Sequence, residues 1–325
     1  MKIAILDDTL HIVERLSGFS KVVGHEVTIV HEHLTDPVAL GSRIEGVEAL
    51  VLNRERTRVD ADLLERLPDL VFISQTGRAT PHIDLHACAA RGIVVSAGGR
   101  APLATVELTW ALILASRRRV VLESNALRSG QWQTGLGTTV RGRTLGILGY
   151  GTIGTGVARI ASHFGAQVLV WGREGSLARA EADGFAKAPA REALFERSDI
   201  LSVHVQLNAA TAGFIRATDL VRMKPSALFV NTSRAGLVER GALLEALRKG
   251  RPGFAALDVF EEEPFDGRLQ PLASMPNVLC TPHIGHVEHD AFEMFYDIAF
   301  EQVLAFCAGT PINVVCDGRA GRRTD

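Results

Sequence analysis

The stretch TLGILGYGTIGTG, from Thr144 to Gly156, decides the fold of this chain. An apolar run that ends at Leu148 leads into the pattern G-x-G-x-x-G and then into a helix-like segment from Val157. A strand that turns sharply into a closely packed helix favours glycine. A dinucleotide site favours it further, because the pyrophosphate of the dinucleotide must approach the backbone of the turn. Glycine-rich turns also occur without such a ligand, so the rest of the chain has to support the prediction. The predicted cofactor contacts in this turn are Gly149, Tyr150, Gly151, Thr152, Ile153 and Gly154.

The chain around this turn alternates short apolar runs with helical patterns. Six runs read as strands: one that ends at Leu148, then 167–171, 200–205, 227–231, 254–259 and 278–281. Near-continuous apolar strands separated by helices indicate a parallel sheet covered on both faces. Six strands are also the number in a full dinucleotide-binding fold.

The N-terminal part shows the same alternation on a smaller scale. Its strand-like runs are 2–6, 26–30, 49–52, 70–74 and 93–96. The segment 98–102 interrupts the pattern, and one long helix is predicted over 103–128. Arg117, Arg118 and Arg119 are interpreted as a solvated face, with a phosphate site as the alternative. A last amphipathic helix over 290–306 would return to the first unit, before a polar tail over 317–325. The sequence thus predicts an α/β protein with two doubly wound parallel-sheet domains, residues 1–101 plus 288–325 and residues 102–287.

Composition argues against several classes of protein. The chain has 325 residues, of which 46% are hydrophobic and 22% are charged, with a net charge of −2. No excess of one sign suggests nucleic acid or an anionic membrane as a partner. The four cysteines lack C-x-x-C spacing, which argues against a disulfide framework or a structural zinc site and favours a cytoplasmic location. The most apolar helical stretch, 108–115, is shorter than the roughly 20 residues that cross a bilayer.

The choice of cofactor should depend on the end of the strand that follows the glycine turn. An acidic residue about 20 residues after the turn commonly binds the adenosine ribose. Here the strand ends in Gly172, Arg173 and Glu174, so no carboxylate stands at Gly172 to repel a 2′-phosphate, and Arg173 could bind one. This pattern favours NADP over NAD. The alternative is that Arg173 points to solvent and Glu174 binds the ribose.

Three ionisable residues each follow a predicted strand: Arg234 in NTSRAG, Glu263 in DVFEEEP and His283 in TPHIG. The carboxyl ends of parallel strands lie at one edge of a sheet, so these residues can converge although they are far apart in the sequence. Taken singly, each could also be a surface charge, a solvated turn or a structural histidine.

Together with the glycine turn, these motifs resemble the D-isomer-specific 2-hydroxyacid dehydrogenase family. The stretch 73–85, GYGTIG, SVHVQL, NTSRAG, LDVFEEEP and TPHIG occur in the order of that family, which includes glyoxylate/hydroxypyruvate reductase-like and phosphoglycerate dehydrogenase-like members. The resemblance implies a flavodoxin-like substrate domain and a Rossmann NAD(P)-binding domain. It also implies a homodimer formed through the long helix. Further implied cofactor contacts are Val205, Thr211, Thr232, Asp258 and Gly285.

The resemblance implies hydride transfer between NAD(P)H and a small 2-keto or D-2-hydroxy acid. Arg234 would bind the carboxylate and polarise the ketone, since its guanidinium is planar and permanently charged. His283 would be the general acid in reduction and the base in oxidation, and Glu263 would orient its ring and stabilise its protonated form. No metal ion is needed. The substrate carboxylate would also meet the backbone amides of a loop formed by Gln75, Thr76, Gly77 and Arg78.

The chain departs from the family pattern in that loop, which puts the size of the substrate in question. Ala79 stands where a second glycine is common, and Pro81 stands where an acidic residue is common. Trp132 either lines the active site of a neighbouring subunit or serves as a packing residue. Formate dehydrogenases are disfavoured because they carry Gln at the position of Glu263. A nucleotide-sensing, corepressor-like binding protein on the same fold remains the alternative function.

Overall fold

The computed structural model describes residues 1–318 and contains two parallel-sheet units. The first unit is Met1–Ala101 with the described residues from Glu288 onward, and the second is Pro102–Val287. The strands are β1 Lys2–Ile5, β2 Glu26–Ile29, β3 Ala49–Leu52, β4 Phe72–Gly77, β5 Val94–Gly99, β6 Thr144–Leu148, β7 Gln167–Trp171, β8 Ala186–Lys187, β9 Ile200–Val203, β10 Leu228–Asn231, β11 Phe254–Leu257, β12 Val278–Cys280 and β13 Val314–Asp317.

The helices cover the two sheets. They are α1 Pro37–Arg43, α2 Ala61–Glu65, α3 Leu85–Ala90, α4 Pro102–Arg117, α5 Val120–Arg128, α6 Thr152–His163, α7 Glu174–Ala182, α8 Arg191–Arg197, α9 Ala217–Leu220, α10 Ala242–Arg248 and α11 His289–Cys307. None of the helices in the described part of the chain combines the length and the apolar character that crossing a bilayer requires.

The first unit has the strand order β13-β5-β4-β3-β1-β2. Strands β1 to β5 are parallel, and their order 2-1-3-4-5 is the flavodoxin-like one. Helix α11 packs on this sheet: the Ser74 hydroxyl donates to the Ala299 carbonyl at 2.9 Å, and the rings of Phe72 and Phe306 stack at 4.4 Å. The expected flavodoxin-like fold is therefore confirmed for this unit.

Strand β13 was not predicted from the sequence. It pairs antiparallel with β5 at the edge of the sheet, and its residues are mostly exposed, so it shows no alternation of apolar and polar residues. Asp317, expected to begin a polar tail, is instead the last residue of this strand. The rest of the predicted tail, residues 319–325, lies outside the described residues.

The second unit has the strand order β12-β11-β10-β9-β6-β7-β8, with all neighbours parallel. Counted from β6, this is the Rossmann order 3-2-1-4-5-6 with one further strand, β12, at the edge. The expected Rossmann fold is confirmed, and β8 is one strand more than the six that were expected. Its two residues are too few to produce a recognisable pattern.

The single helix expected over 103–128 is wrong, because the chain breaks between α4 and α5. Arg119 adopts a left-handed conformation with φ +56°. The carbonyl of Arg117 accepts a hydrogen bond from the Thr138 amide at 2.7 Å, so it bonds to a later loop and not to the next turn of a helix. Arg117 is also 8% exposed rather than solvated and donates to the Ser226 carbonyl, and its burial lowers its pKa.

Candidate active site

The candidate residues of the second unit lie at one edge of its sheet. The glycine turn follows β6, Arg173 follows β7, Val205 follows β9, Arg234 follows β10, and the segments with Glu263 and His283 follow β11 and β12. All these strands are parallel, so their carboxyl ends share one edge. The direction of the strand order changes between β6 and β9, which is where ligands bind in open α/β sheets.

The glycine turn has the geometry that a dinucleotide requires. Gly149 has φ +97°, and a Cβ at this position would lie 2.6 Å from the His204 carbonyl oxygen. A Cβ on Gly154 would lie 2.2 Å from the carbonyl oxygen of Gly149, so α6 packs directly against the turn. A Cβ on Gly151 would meet nothing within 4 Å, and this residue is the N-cap of α6. The turn thus leaves open space at a helix N-terminus, which fits a pyrophosphate.

The Tyr150 side chain points into the protein. It is 1% exposed, and its hydroxyl donates to Asp183 Oδ2 at 2.6 Å. Burial, together with this bond, raises the pKa of Tyr150 to about 12. The Tyr150 carbonyl accepts from Arg179 Nη2 at 3.1 Å, which ties α7 to the turn. A cofactor contact at Tyr150 would therefore use its backbone amide.

At the end of β7, Arg173 is exposed and is the N-cap residue of α7. Gly172 lies against the glycine turn: a Cβ on it would be 3.8 Å from Gly149 Cα. Glu174 is exposed beside Arg173. The residues that were expected to choose between NAD and NADP therefore stand next to the dinucleotide turn, with their side chains accessible.

The loop after β9 is fixed by short-range bonds. The hydroxyl of Thr211 donates to the Gln206 carbonyl at 2.7 Å and accepts from the Asn208 amide at 2.8 Å. Val205 lies beside the glycine turn, since its Cγ2 would be 3.0 Å from a Cβ on Gly149. In this structure Thr211 shapes the loop, and Val205 forms a wall next to the turn.

Arg234 is presented by a turn that Asn231 organises. The Asn231 side chain accepts from the Ser233 amide and donates to the Arg234 carbonyl, both at 3.0 Å. The Ser233 hydroxyl donates to the Val205 carbonyl at 2.8 Å, which joins this turn to the loop after β9. Arg234 is half-buried, and its Nη1 donates to the Ser233 carbonyl at 2.7 Å. A guanidinium held in this way keeps a defined position.

Glu263 and His283 form a close pair. His283 Nδ1 lies 2.5 Å from Glu263 Oε2, and both side chains are 30% exposed. Glu263 Oε1 accepts from the Phe260 amide at 2.7 Å. Burial alone would raise the pKa of Glu263, but the bonds to His283 and Phe260 and the charge of Arg234 lower it overall. Glu263 is therefore ionised near neutral pH, and Nδ1 of His283 carries the proton of the pair.

Asp258 holds the loop that carries His283, a role that was not foreseen. Its Oδ1 accepts from the Thr281 hydroxyl at 2.6 Å and the Ile284 amide at 2.8 Å, and its Oδ2 accepts from the Gly285 amide at 2.8 Å. Asp258 is 1% exposed. Burial raises its pKa overall, although the hydrogen bonds to Thr281, Ile284 and Gly285 lower it. The contacts join the ends of two strands, so no local pattern in the sequence could have signalled them.

Thr232 and Gly285 both contact α4. The Thr109 hydroxyl donates to the Thr105 carbonyl at 2.7 Å, so its 2.8 Å contact with Thr232 must be a bond that Thr232 donates. The Gly285 carbonyl accepts from the Thr105 hydroxyl at 3.0 Å. Two of the predicted cofactor contacts are therefore anchored to this helix.

The predicted substrate loop lies partly in a strand of the first unit. Gln75, Thr76 and Gly77 are the last residues of β4 and are buried, and Arg78 is the first exposed residue after it. Gln75 Nε2 donates to the Ala79 carbonyl at 3.0 Å, which fixes the loop that follows. The expectation of a four-residue loop is therefore wrong for the first three residues. The register of β4 extends to Gly77 with β5 and to Gln75 with β3.

No cluster of His, Cys, Asp and Glu side chains in residues 1–318 is suited to hold a metal ion.

Comparisons with known proteins agree on one family. The model of the D-isomer specific 2-hydroxyacid dehydrogenase, NAD binding domain, matches residues 110–285. A glyoxylate reductase from Aeropyrum pernix is 39% identical over 269 residues, which cover 79% of this chain and 80% of the relative. A glycerate dehydrogenase from Methylorubrum extorquens is 34% identical over 295 residues, covering 88% and 90%. A solved structure of a candidate D-3-phosphoglycerate dehydrogenase from Ralstonia solanacearum has a TM-score of 0.95 and 48% identity, over 98% of this chain and 97% of that one.

The family match spans more than half of the chain, and the resemblance inferred from the motifs is confirmed. The chain belongs to the D-isomer specific 2-hydroxyacid dehydrogenase family and is an oxidoreductase that acts on 2-hydroxy acids with a nicotinamide cofactor.

Proposed function

We propose that this chain reduces small 2-keto acids such as glyoxylate or hydroxypyruvate to D-2-hydroxy acids, with His283 as the general acid. The observation that carries this proposal is the 2.5 Å contact between His283 Nδ1 and Glu263 Oε2, at the same sheet edge as the glycine turn. An ionised carboxylate on Nδ1 favours the protonated ring, which is the form that can donate a proton.

The glycine turn and the N-terminus of α6 would hold the pyrophosphate of the cofactor. When bound, the nicotinamide supplies the hydride in reduction and accepts it in oxidation. His283 donates its Nε2 proton to the oxygen of the substrate, since Nδ1 is engaged with Glu263. In the oxidative direction the same nitrogen takes the proton back.

Arg234 is the proposed ligand of the substrate carboxylate. Its guanidinium offers a planar fork of donors, and the turn held by Asn231 limits its freedom. We assign the remaining carboxylate contacts to the segment Gln75 to Arg78, with the amides at the end of β4 and in the loop after it as donors.

We further propose a preference for NADP. Arg173 is exposed at the end of β7, and Gly172 provides no carboxylate that would repel a 2′-phosphate. Glu174 is the competing feature, because its carboxylate could bind the ribose hydroxyls of NAD instead.

A homodimer is proposed from exposed apolar side chains on α5 and the loop after it. Trp132 is 77% exposed, Leu136 is 96% exposed, and Val120 and Leu127 are more than half exposed. Such a patch on one surface is typical of a protein–protein contact. Light scattering at micromolar concentration tests this: a dimer is expected for the wild type, and Leu136→Asp should weaken it. A cytoplasmic location stays a prediction from the cysteine content.

Steady-state reduction of a panel of 2-keto acids, with NADH and NADPH side by side, tests the proposed function. Turnover of glyoxylate or hydroxypyruvate is expected, with a lower KM for NADPH. The corepressor-like alternative would bind the dinucleotide without turning over any member of the panel. That result would overturn the proposal.

A further inference from the structure

Two histidine rings pack against each other in the loop after β12. This loop, residues 281–287 and here called the histidine loop, carries His283 and, three residues later, His286. The two ring centroids are 5.7 Å apart and the planes lie at 86°, which is an edge-to-face arrangement. His286 is 8% exposed, whereas the His283 side chain is 30% exposed. A buried ring thus lies beside the partly exposed ring that is assigned to proton transfer.

The backbone that carries His286 is held in place. The amide of the preceding residue, Gly285, donates to Asp258 Oδ2 at 2.8 Å. The carbonyl of Gly285 accepts from the Thr105 hydroxyl at 3.0 Å. Because both groups of Gly285 are bonded to other elements, the His286 ring cannot follow a movement of the His283 ring. His286 therefore acts as a fixed surface against which His283 packs.

The hydrogen bond from Glu263 fixes one atom of the His283 ring. This bond joins Glu263 Oε2 to Nδ1. The torsion that turns an imidazole about its Cβ is broad, so a ring held at Nδ1 can still tilt. Tilting displaces Nε2, the nitrogen assigned to the substrate oxygen, and a displacement of about 1 Å in a reacting group can slow a reaction on the order of 100-fold. The direction of Nε2 therefore requires a second contact.

The edge-to-face contact with His286 restricts this tilt. The two planes are nearly perpendicular, so a tilt of His283 in one direction brings atoms of the two rings into overlap. A tilt in the other direction opens a void beside a buried side chain and loses dispersion contacts. Both changes are unfavourable, and the observed orientation lies between them.

We propose that His286 is a positioning residue for proton transfer. Its ring holds the His283 imidazole so that Nε2 keeps its direction while Nδ1 remains on Glu263. This inference rests on the proposed role of His283 as the general acid. The contact depends on the flat shape of the His286 ring and not on its nitrogens, so another flat ring of similar size should replace it.

The test compares variants that remove the ring with one that keeps it. His286→Ala should lower kcat about 10-fold, because the Nε2 proton is then delivered from a less defined position. The KM for the 2-keto acid and the dissociation constant of NADPH should stay within about 2-fold of the wild type. The solvent deuterium isotope effect on kcat should rise, since the proton step becomes slower. His286→Phe, which has a flat ring without titratable nitrogens, should recover most of kcat and keep the pH profile of the wild type.

His289→Ala is the matched control, because the His289 side chain is 79% exposed, and it should leave kcat and the isotope effect unchanged. Thermal unfolding verifies that the variants fold. His286→Leu, which fills the space without a flat face, should show the same loss of kcat and tests the point independently of the alanine variant.

Three results would overturn the inference and leave the proposed function standing. They are wild-type kcat in both His286→Ala and His286→Leu, a loss in His286→Phe as large as in His286→Ala, and a shifted pH profile in His286→Phe, which would assign the effect to the nitrogens. A wild-type protein that turns over no 2-keto acid would overturn both this inference and the proposed function.

Discussion

Nδ1 of His283 lies 2.5 Å from Oε2 of Glu263, and the backbone of His283 has a φ of +54°. A left-handed conformation is uncommon for a residue with a side chain and persists only when its surroundings hold it. Here Asp258 holds the next two residues, Ile284 and Gly285, by their amides. The pairing of the ring and the left-handed backbone both support the role proposed for His283.

Replacing His283 with Gln should lower kcat by about 10²- to 10⁴-fold, because the proton donor is lost. Binding of the cofactor should persist, since the glycine turn is unchanged. Steady-state assays measure kcat, and fluorescence titration with NADPH measures binding of the cofactor. His289→Gln is the matched control, because His289 is 79% exposed and its Nδ1 lies 3.7 Å from the exposed Asp290. Near-normal turnover in His283→Gln would remove this residue from its proposed role.

Replacing Glu263 with Gln should move the optimum for reduction to lower pH. The pKa of Glu263 is lowered from 4.5, so the wild-type carboxylate remains charged through the neutral range and favours the protonated ring. A neutral amide lacks that effect, because it places no negative charge beside the ring. The profile of kcat/KM between pH 5 and 9 measures the change. The neighbouring Glu262→Gln, 80% exposed, should leave the profile in place, and an identical shift in both variants would contradict the assignment.

Replacing Asp258 with Asn should lower both stability and kcat. The amide nitrogen of Asn cannot accept from a backbone N–H, so one of the buried donors of the Thr281 to Gly285 loop loses its partner. We expect a loss of about 1–3 kcal/mol in the free energy of unfolding. Denaturant titration and kcat measure the two effects. Asp266→Asn should change neither, since Asp266 is exposed and its carboxylate accepts from the exposed Arg268 side chain. Wild-type stability in Asp258→Asn would contradict the proposed role of Asp258 in holding the loop.

Replacing Arg173 with Gln should raise the KM for NADPH about 10-fold or more, because a charge-assisted bond to the 2′-phosphate is lost. The KM for NADH should change little. Arg141→Gln serves as the control, because Arg141 is exposed three residues before β6, at the opposite edge of the sheet. Equal effects on the two cofactors would indicate that Arg173 does not contact the phosphate.

Replacing Tyr150 with Phe should flatten the alkaline part of the stability curve. Burial and the bond to Asp183 raise the pKa of Tyr150 from 10.0 to about 12. The fold therefore favours the neutral phenol, and its contribution to stability is complete below pH 10 and declines as the pH rises through about 12. Denaturant titrations at pH 8 and pH 11 should show a smaller decline in the variant. An equal loss of stability in the wild type and in Tyr150→Phe would show that a group other than Tyr150 causes the decline.

Much of the fold could be predicted because its signals are local. The glycine turn can be recognised because certain positions in it allow only glycine. At Gly149 and Gly154 a Cβ would clash with carbonyl oxygens. Arg234, Glu263 and His283 could be placed at one edge because each follows an apolar run of a parallel sheet. The sequence by itself thus determined the two α/β units, the dinucleotide turn and the candidate catalytic residues.

Only the tertiary structure decided the features that depend on distant partners. Thr138 captures the Arg117 carbonyl and breaks the expected long helix, and β13 pairs with β5 across more than 200 residues. The Tyr150 ring lies inside the fold, where Asp183 accepts a hydrogen bond from its hydroxyl, and Asp258 holds the loop of His283 from a neighbouring strand end. These contacts form between segments that have no regular spacing along the chain, so periodicity and composition do not predict them.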